Sequence, residues 1–168
     1  HFSSKVYNQV VRFDHLEAHA SSFAGDLLFS CLGTTRKQAG SIAAQRTVDL
    51  EYQYKAAQLA TQQGVRHYLL VSSSGANANS SNAYLRMKGE LEQRVRRLPF
   101  GRISIFQPSL LLGQRAEARL GEQLWSRVLP VLCVLPGMRR FRPIRGEQVA
   151  AKMVRVSNSP GPALEWFR

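Results

Sequence analysis

Three residues able to handle a proton lie close together in this sequence: Ser72, Tyr84 and Lys88. Residues four apart share one helix face, with Cβ atoms about 5 to 6 Å apart, so Tyr84 and Lys88 can act as a pair. An ammonium held beside a phenol in a half-dry setting favours the phenolate, drawing a group with an ordinary pKa of about 10 toward neutral chemistry. Such a tyrosine can give or take a proton during a reaction. A serine hydroxyl close by can hydrogen-bond a substrate carbonyl while the phenol protonates it, and Ser72 lies at a strand end twelve residues before Tyr84. A core tyrosine beside a snorkelling lysine would give the same spacing, so the pair alone does not decide.

The order of elements around the pair gives it weight. Tyr68 to Val71 is a short, continuous apolar run that reads as a strand buried on both faces. It stops at Ser72 to Gly75, a polar loop comes next, and helical spacing resumes with Met87, Leu91, Val95 and Leu98 on one stripe. Tyr84 and Lys88 fall on that stripe or at its edge.

Upstream, Val10 to Phe13 reads as a short strand and Leu16 to Phe23 as a polar helical stretch that Gly25 ends. Asp26 to Cys31 reads as a second buried strand, running into Leu32, Gly33 and Thr34. From Ser41 to Gln63 the spacing is helical, with Val48, Tyr52, Ala56 and Leu59 on one face and Gly64 as the cap. Downstream, Arg102 to Gln107 is a strand that Pro108 ends, opening a loop from Ser109 to Gly113. Arg115 to Glu122 is charged, and Leu124 to Leu135 is apolar with helical spacing, either a flap over a substrate or a packed helix. Glu147 to Val156 reads as an amphipathic helix and Ala163 to Phe167 as a last strand.

Strands alternating with helices predict an α/β fold, a doubly wound and mostly parallel Rossmann-like sheet. The 168 residues suit one domain spanning 1–168. In a parallel sheet ligands sit at the carboxyl ends of the strands, and a glycine directly after a strand lets them approach the backbone. Gly33, Ser72 and Pro108 all fall at such ends.

Composition narrows the field. A hydrophobic content of 44% is that of a globular chain, and no apolar run approaches the roughly 20 residues that cross a bilayer, so no membrane role is expected. The two cysteines, Cys31 and Cys133, and the four scattered histidines lack metal-ligand spacing. Both cysteines read as buried, reduced thiols, and the expected compartment is cytoplasmic. The formal charge of +12 is carried by arginine clusters at Arg94, Arg96 and Arg97 and at Arg139, Arg140, Arg142 and Arg145. They lack interleaved aromatics and read first as a solvated basic face, with nucleic acid the lesser alternative.

A more specific likeness runs through CLGTTR (Cys31 to Arg36) with Ala39-Gly40, Val48-Asp49, LVSSSGA (Leu70 to Ala76), YLRMKGE (Tyr84 to Glu90), and Pro108 to Gly113 with Arg115. These stretches resemble, in order, the atypical branch of the short-chain dehydrogenase/reductase superfamily, in particular its Tat-interacting-protein-like oxidoreductases. The resemblance implies an NAD(P)-dependent oxidoreductase that transfers hydride to or from a carbonyl or alcohol of a small-molecule substrate. It implies Tyr84 as proton donor or acceptor, Lys88 as the residue that holds the nicotinamide ribose and assists Tyr84, and Ser72, or failing it Ser73, as the one that orients the carbonyl. Leu32, Gly33, Thr34, Pro108 and Leu111 would line NADP or NAD together with Tyr84 and Lys88. Where family members often carry arginine before the proline, this chain has Gln107.

The family's glycine-rich turn, which receives the pyrophosphate at a helix N-terminus, is not found in this sequence. The expectation is therefore an N-terminally incomplete domain lacking the family's first strands. Two other readings stay open: a nucleotide-sensing regulatory protein without turnover, and a basic module that binds protein or nucleic acid. A homodimer or a protein partner is compatible with either.

Overall fold

The computed structural model describes residues 6–109, 144–168 and the backbone of 111–112. Four apolar runs pair into one parallel sheet in the order β1 (Leu27–Ser30), β2 (His67–Val71), β3 (Arg102–Phe106) and β6 (Leu164–Phe167). Leu27 lies beside His67, His67 beside Arg102, and Ile103 beside Leu164. Parallel neighbours need crossovers, and here these supply helices to both faces.

Side chains alternate along a strand, so β2 divides its residues between two cores. Tyr68 and Leu70 pack with Leu50, Ala57, Leu91 and Val95, from the segment before β2 and from α4 (Ala83–Val95). Leu69 packs with Val149, Met153 and Val156 of the carboxyl-terminal helix Gly146–Ser157. Each fully buried leucine contributes roughly 1.5–3 kcal/mol; Leu50, Leu69, Leu70 and Leu91 are all at 0% exposure, so the sheet's centre is what fixes the fold.

Between β1 and β2 the chain runs through α1 (Arg36–Ala39), α2 (Ile42–Arg46), a π-helical turn (Thr47–Tyr52) and α3 (Gln53–Gln62), and Gly64 closes it with φ +85°. A two-residue parallel pair, β4 (Leu111–Leu112) and β5 (Ile144–Arg145), precedes α5, the helix Gly146–Ser157.

The expected doubly wound, mostly parallel α/β architecture stands, and four expectations change. Val10 to Phe13 forms no strand: Val10 is 80% exposed, and a 3-10 helix starts at Phe13 and runs to Phe23. The apolar contacts there go to α3 and the π turn, through the buried Leu16 and through the Phe13 ring, tilted against Tyr52 with centroids 5.2 Å apart. Second, the strand Asp26 to Cys31 is only half-buried, with Leu27 and Phe29 about 40% exposed; by register they lie on the face of Leu69, where α5 covers β2 and β3 rather than β1. Third, the buried residues of the Ser41–Gln63 stretch are Gln45, Asp49, Leu50, Gln53, Ala57, Leu59 and Ala60, so that of the expected face Leu59 is buried while Val48, Tyr52 and Ala56 are half-buried. A π turn inserts an extra residue into the helical period and rotates the helical turns beyond it. Fourth, Cys31 is an exposed free thiol, not a buried one.

Arg115 to Glu122, the Leu124–Leu135 flap or helix, Cys133, Arg139, Arg140 and Arg142 lie outside the described residues.

Candidate active site

The carboxyl ends of β2 and β3 are drawn together beyond the strands themselves. Ser72 N–H donates to Phe106 O at 2.7 Å and Ser74 N–H to Pro108 O at 2.9 Å, which holds the serine run against the buried Pro108. On the neighbouring side, Leu32, Gly33 and Thr34 leave β1 at the same edge.

Helix α4 starts under its own cap. The Asn82 side-chain oxygen accepts from Leu85 N–H at 3.2 Å, satisfying one of the otherwise orphaned amides of the first turn. Gly89 explains how closely the polar loop packs on this helix, because a Cβ there would stand 2.2 Å from Ala78 N. The glycine of the Lys88-Gly89-Glu90 run is thus required by packing.

Tyr84 is half-buried one turn above Lys88, whose Nζ lies 5.9 Å from the centre of the tyrosine ring. Lys88 is 3% exposed. Its Nζ is 3.3 Å from Asp49 Oδ1, a carboxylate contributed by the π turn at 0% exposure. Burial pushes Lys88 below the usual lysine range; the Asp49 carboxylate, and behind it Glu92, push it back up. Thr34 N–H reaches the same Asp49 oxygen at 3.4 Å, and Oδ2 has no hydrogen-bond partner among the described residues.

Ser72, at 4% exposure, turns its hydroxyl inward and donates to Glu92 of α4. Glu92 also accepts from Gln107 Nε2 at 3.0 and 3.2 Å and from Trp166 Nε1 at 3.4 Å. Arg168 Nε in turn donates to Gln107 Oε1 at 2.9 Å. Gln107, where an arginine is common in the resembling family, therefore acts as a neutral bridge between Arg168 and Glu92. Ser73 is half-buried at the mouth of the same loop.

The structure thus brings Ser72, Ser73, Tyr84, Lys88 and Pro108 to one edge of the sheet, with Leu32, Gly33 and Thr34 on its β1 side. Leu111 is described only as backbone, paired with Ile144. Sequence reasoning gave no role to Asp49 or Glu92, since carboxylates on helices usually face water. The signal was spacing: Glu92 continues the Tyr84, Lys88 series by another four residues, and Asp49 sits midway between Gln45 and Gln53 on a polar stripe.

Among the described residues, no group of three or more His, Cys, Asp or Glu is placed to hold a metal, and no helix is long and apolar enough to cross a membrane. A separate cavity of about 270 Å³ lies between the 3-10 helix, β1 and α3, lined in part by Val11, Phe23, Leu28 and Ala56, and meets the expected cofactor residues only at Leu32.

The four-stranded parallel sheet with helices on both faces defines a Rossmann-like α/β fold. Solved structures agree on that fold: MoeE5 in complex with UDP-glucuronic acid and NAD matches with a TM-score of 0.65 at 12% identity, over 92% of this chain and 60% of that one. A dTDP-4-dehydrorhamnose reductase of Bacillus anthracis in complex with NADP matches with a TM-score of 0.51 at 12% identity, over 92% and 70%. No family model matches the chain. Among sequences, protein HTATIP2 of Rattus norvegicus is 45% identical over 128 residues, 73% of this chain and 52% of the relative. The mitochondrial protein fmp52 of Emericella nidulans is 45% identical over 96 residues, 57% and 41%. The chain is a homologue of the HTATIP2 and FMP52 proteins, and the atypical short-chain dehydrogenase/reductase pattern fits it. It spans about half the length of the curated relatives it matches.

These relatives correct one expectation. Several fungal homologues are named as mitochondrial proteins, which points away from the cytoplasmic location inferred from cysteine usage. Reduced, unpaired cysteines suit any compartment kept reducing, so they do not single out the cytosol.

Proposed function

We propose that the protein is an NAD(P)-dependent oxidoreductase of the short-chain dehydrogenase/reductase type, acting on a carbonyl or alcohol. The observation that carries this reading is the placing of Tyr84 and the buried Lys88 on adjacent turns of one helix, at the carboxyl edge of a parallel sheet. Relatives in the HTATIP2 and FMP52 group, and fold neighbours solved with NAD or NADP, support it.

The donor chemistry of the edge suits the nicotinamide-ribose half of a dinucleotide. Gly33 leaves bare backbone above the Asp49 and Lys88 pair, where an added Cβ would sit 3.3 Å from Asp49 Oδ1. Lys88 and Tyr84 would hold the ribose, with Leu32, Thr34, Pro108 and Leu111 around it. A glycine-rich phosphate turn is not found in this sequence, so the pyrophosphate half has no assigned partner in it. When bound, a nicotinamide supplies or accepts the hydride.

The chain's own part is acid–base and positional. In the reducing direction Tyr84 Oη gives its proton to the oxygen that gains charge as the carbonyl is reduced, and in the oxidising direction it takes the proton back. The Lys88 ammonium, stripped of most of its water, stabilises the phenolate left behind. A serine hydroxyl from Ser72 or Ser73 fixes the carbonyl in line.

The test is titration of the full-length protein with NADPH and with NADH, monitoring nicotinamide fluorescence and thermal stability together. Saturable binding that raises the melting temperature, weakened by Lys88→Met, is the expected result. A folded protein that binds neither dinucleotide contradicts the reading.

A further inference from the structure

We propose that Asp49 is a positioning residue of this site: its carboxylate, buried against Lys88 and tied to the Gly33–Thr34 loop, keeps the Lys88 ammonium charged and aimed so that it can act on Tyr84. The inference rests on Tyr84 being the acid–base group and adds to that reading how its acidity is set.

Lys88 is 3% exposed and Asp49 is not exposed at all, and an ion held away from water is expensive unless a partner offsets it. A methionine at 88 and a leucine or asparagine at 49 would fill similar volumes, and Asp49 Oδ2 lacks any hydrogen-bond partner among the described residues. The carboxylate thus lies where its charge is useful to Lys88 at 3.3 Å, in a setting that serves its own hydrogen bonding poorly.

Geometry connects the pair to the site on both sides. Asp49 is held in the π turn, whose widened backbone is itself tied by Gln53 Nε2 donating to Asp49 O at 2.9 Å. π turns of this kind often mark functional positions. On the other side of Lys88, the charged and titratable neighbours among the described residues are Tyr84 and Glu92 of its own helix. The remaining carboxylates of these two elements are engaged elsewhere: Glu90 pairs with Arg46 at 2.7 Å, and Glu51 with Arg94 at 2.9 Å. Burial works to discharge Lys88, and Asp49 is the nearest group that opposes it. An uncharged Lys88 would lend Tyr84 no help.

The test reads tyrosine ionisation in the full-length apoprotein by ultraviolet difference absorbance against pH, with Tyr84→Phe subtracted to isolate the Tyr84 step. Asp49→Asn keeps the size of the side chain and removes its charge. It is expected to move the Tyr84 step to higher pH by about one unit, a tenfold change in the ionisation constant. In a Lys88→Met background the same substitution is expected to move nothing further, since its effect passes through Lys88. An unchanged step in Asp49→Asn, or an equal shift with and without Lys88, overturns the proposal. Should Asp49→Asn fail to fold, the doubly neutral Lys88→Met/Asp49→Asn protein must show the raised step, and an unshifted step there overturns it as well. Because no substrate or cofactor is present, this failure is distinct from failure of the oxidoreductase reading, which shows as turnover surviving Tyr84→Phe.

Discussion

The Ser72 hydroxyl at the end of β2 donates to the Glu92 carboxylate of α4, at a point where both residues are buried. An ionised carboxylate only accepts, so the single hydroxyl proton of Ser72 is committed inward and a ligand can meet only its lone pairs. Ser73 Oγ donates to Ser74 O at the long distance of 3.5 Å, a weak bond that a substrate carbonyl can replace, so of the two serines Ser73 is the one able to turn its proton to a ligand. Ser72→Ala is expected to cost about 1–3 kcal/mol in urea denaturation, because Glu92 loses a buried donor. Ser73→Ala is expected to lower kcat at least tenfold with unchanged stability. The opposite pattern, an inactive but fully stable Ser72→Ala protein, restores the carbonyl role to Ser72.

Gly89 gives a prediction that concerns packing alone. A Cβ at this position would stand 2.2 Å from Ala78 N and 2.3 Å from Asn77 C, and the obstacle is backbone, which cannot swing aside. Gly89→Ala should cost about 1–3 kcal/mol or more as an overpacked site. Urea denaturation measures it directly; a loss within a few tenths of a kcal/mol of the original protein would show that the loop over α4 is not held this closely.

The buried pair behaves differently when one partner or both are removed. Asp49→Leu alone leaves Lys88 buried without its partner, so that the amine is either held charged at a cost or forced to give up its proton, and is expected to cost about 3–5 kcal/mol, whereas Asp49→Leu with Lys88→Met should be neutral or up to about 4 kcal/mol more stable. Thermal melts of the single and double variants check this. A double variant as unstable as the single one would mean that the pair is needed for the fold itself.

His67 carries the pH prediction. Its Nε2 lies 2.8 Å from Ser104 Oγ, and Ser104 donates to Glu165 Oε1 at 2.7 Å. The serine proton is therefore spent on Glu165, and His67 must present Nε2–H to the serine. Burial, and then the nearby Arg102 charge, hold His67 below the ordinary value of 6.5, with Glu165 opposing. As pH falls through 6.5 the unfolded chain takes up a proton that the folded chain refuses, so stability is full above that value and declines below it until the folded pKa is reached. The melting temperature should drop more steeply between pH 7 and 5 for the original protein than for His67→Gln, whose amide N–H can make the same bond. Parallel slopes would contradict the assignment.

Much of this was legible in the sequence where local pattern and global fold agree. The run Tyr68 to Val71, the Asn82-capped helix with its Met87, Leu91 and Val95 stripe, and the strand from Arg102 all formed close to where periodicity placed them. Val10 to Phe13 has the composition of a strand, but strands exist only by pairing, and Phe13 and Leu16 found apolar cover on α3 and the π turn. The roles of Asp49 and Glu92 were hidden for another reason. A buried carboxylate and a solvated one look alike in sequence until the lysine and serine that face them are placed by the fold.

The central claim, that Tyr84 exchanges the proton in a nicotinamide-dependent redox reaction, is tested most directly by Tyr84→Phe in the full-length protein. NADPH and NADH oxidation would be measured over a panel of aldehydes and ketones, with cofactor affinity determined in parallel by nicotinamide fluorescence. The account predicts that turnover falls by at least 10²-fold while cofactor binding is nearly unchanged, as expected for loss of a general acid. Turnover retained by Tyr84→Phe would contradict it.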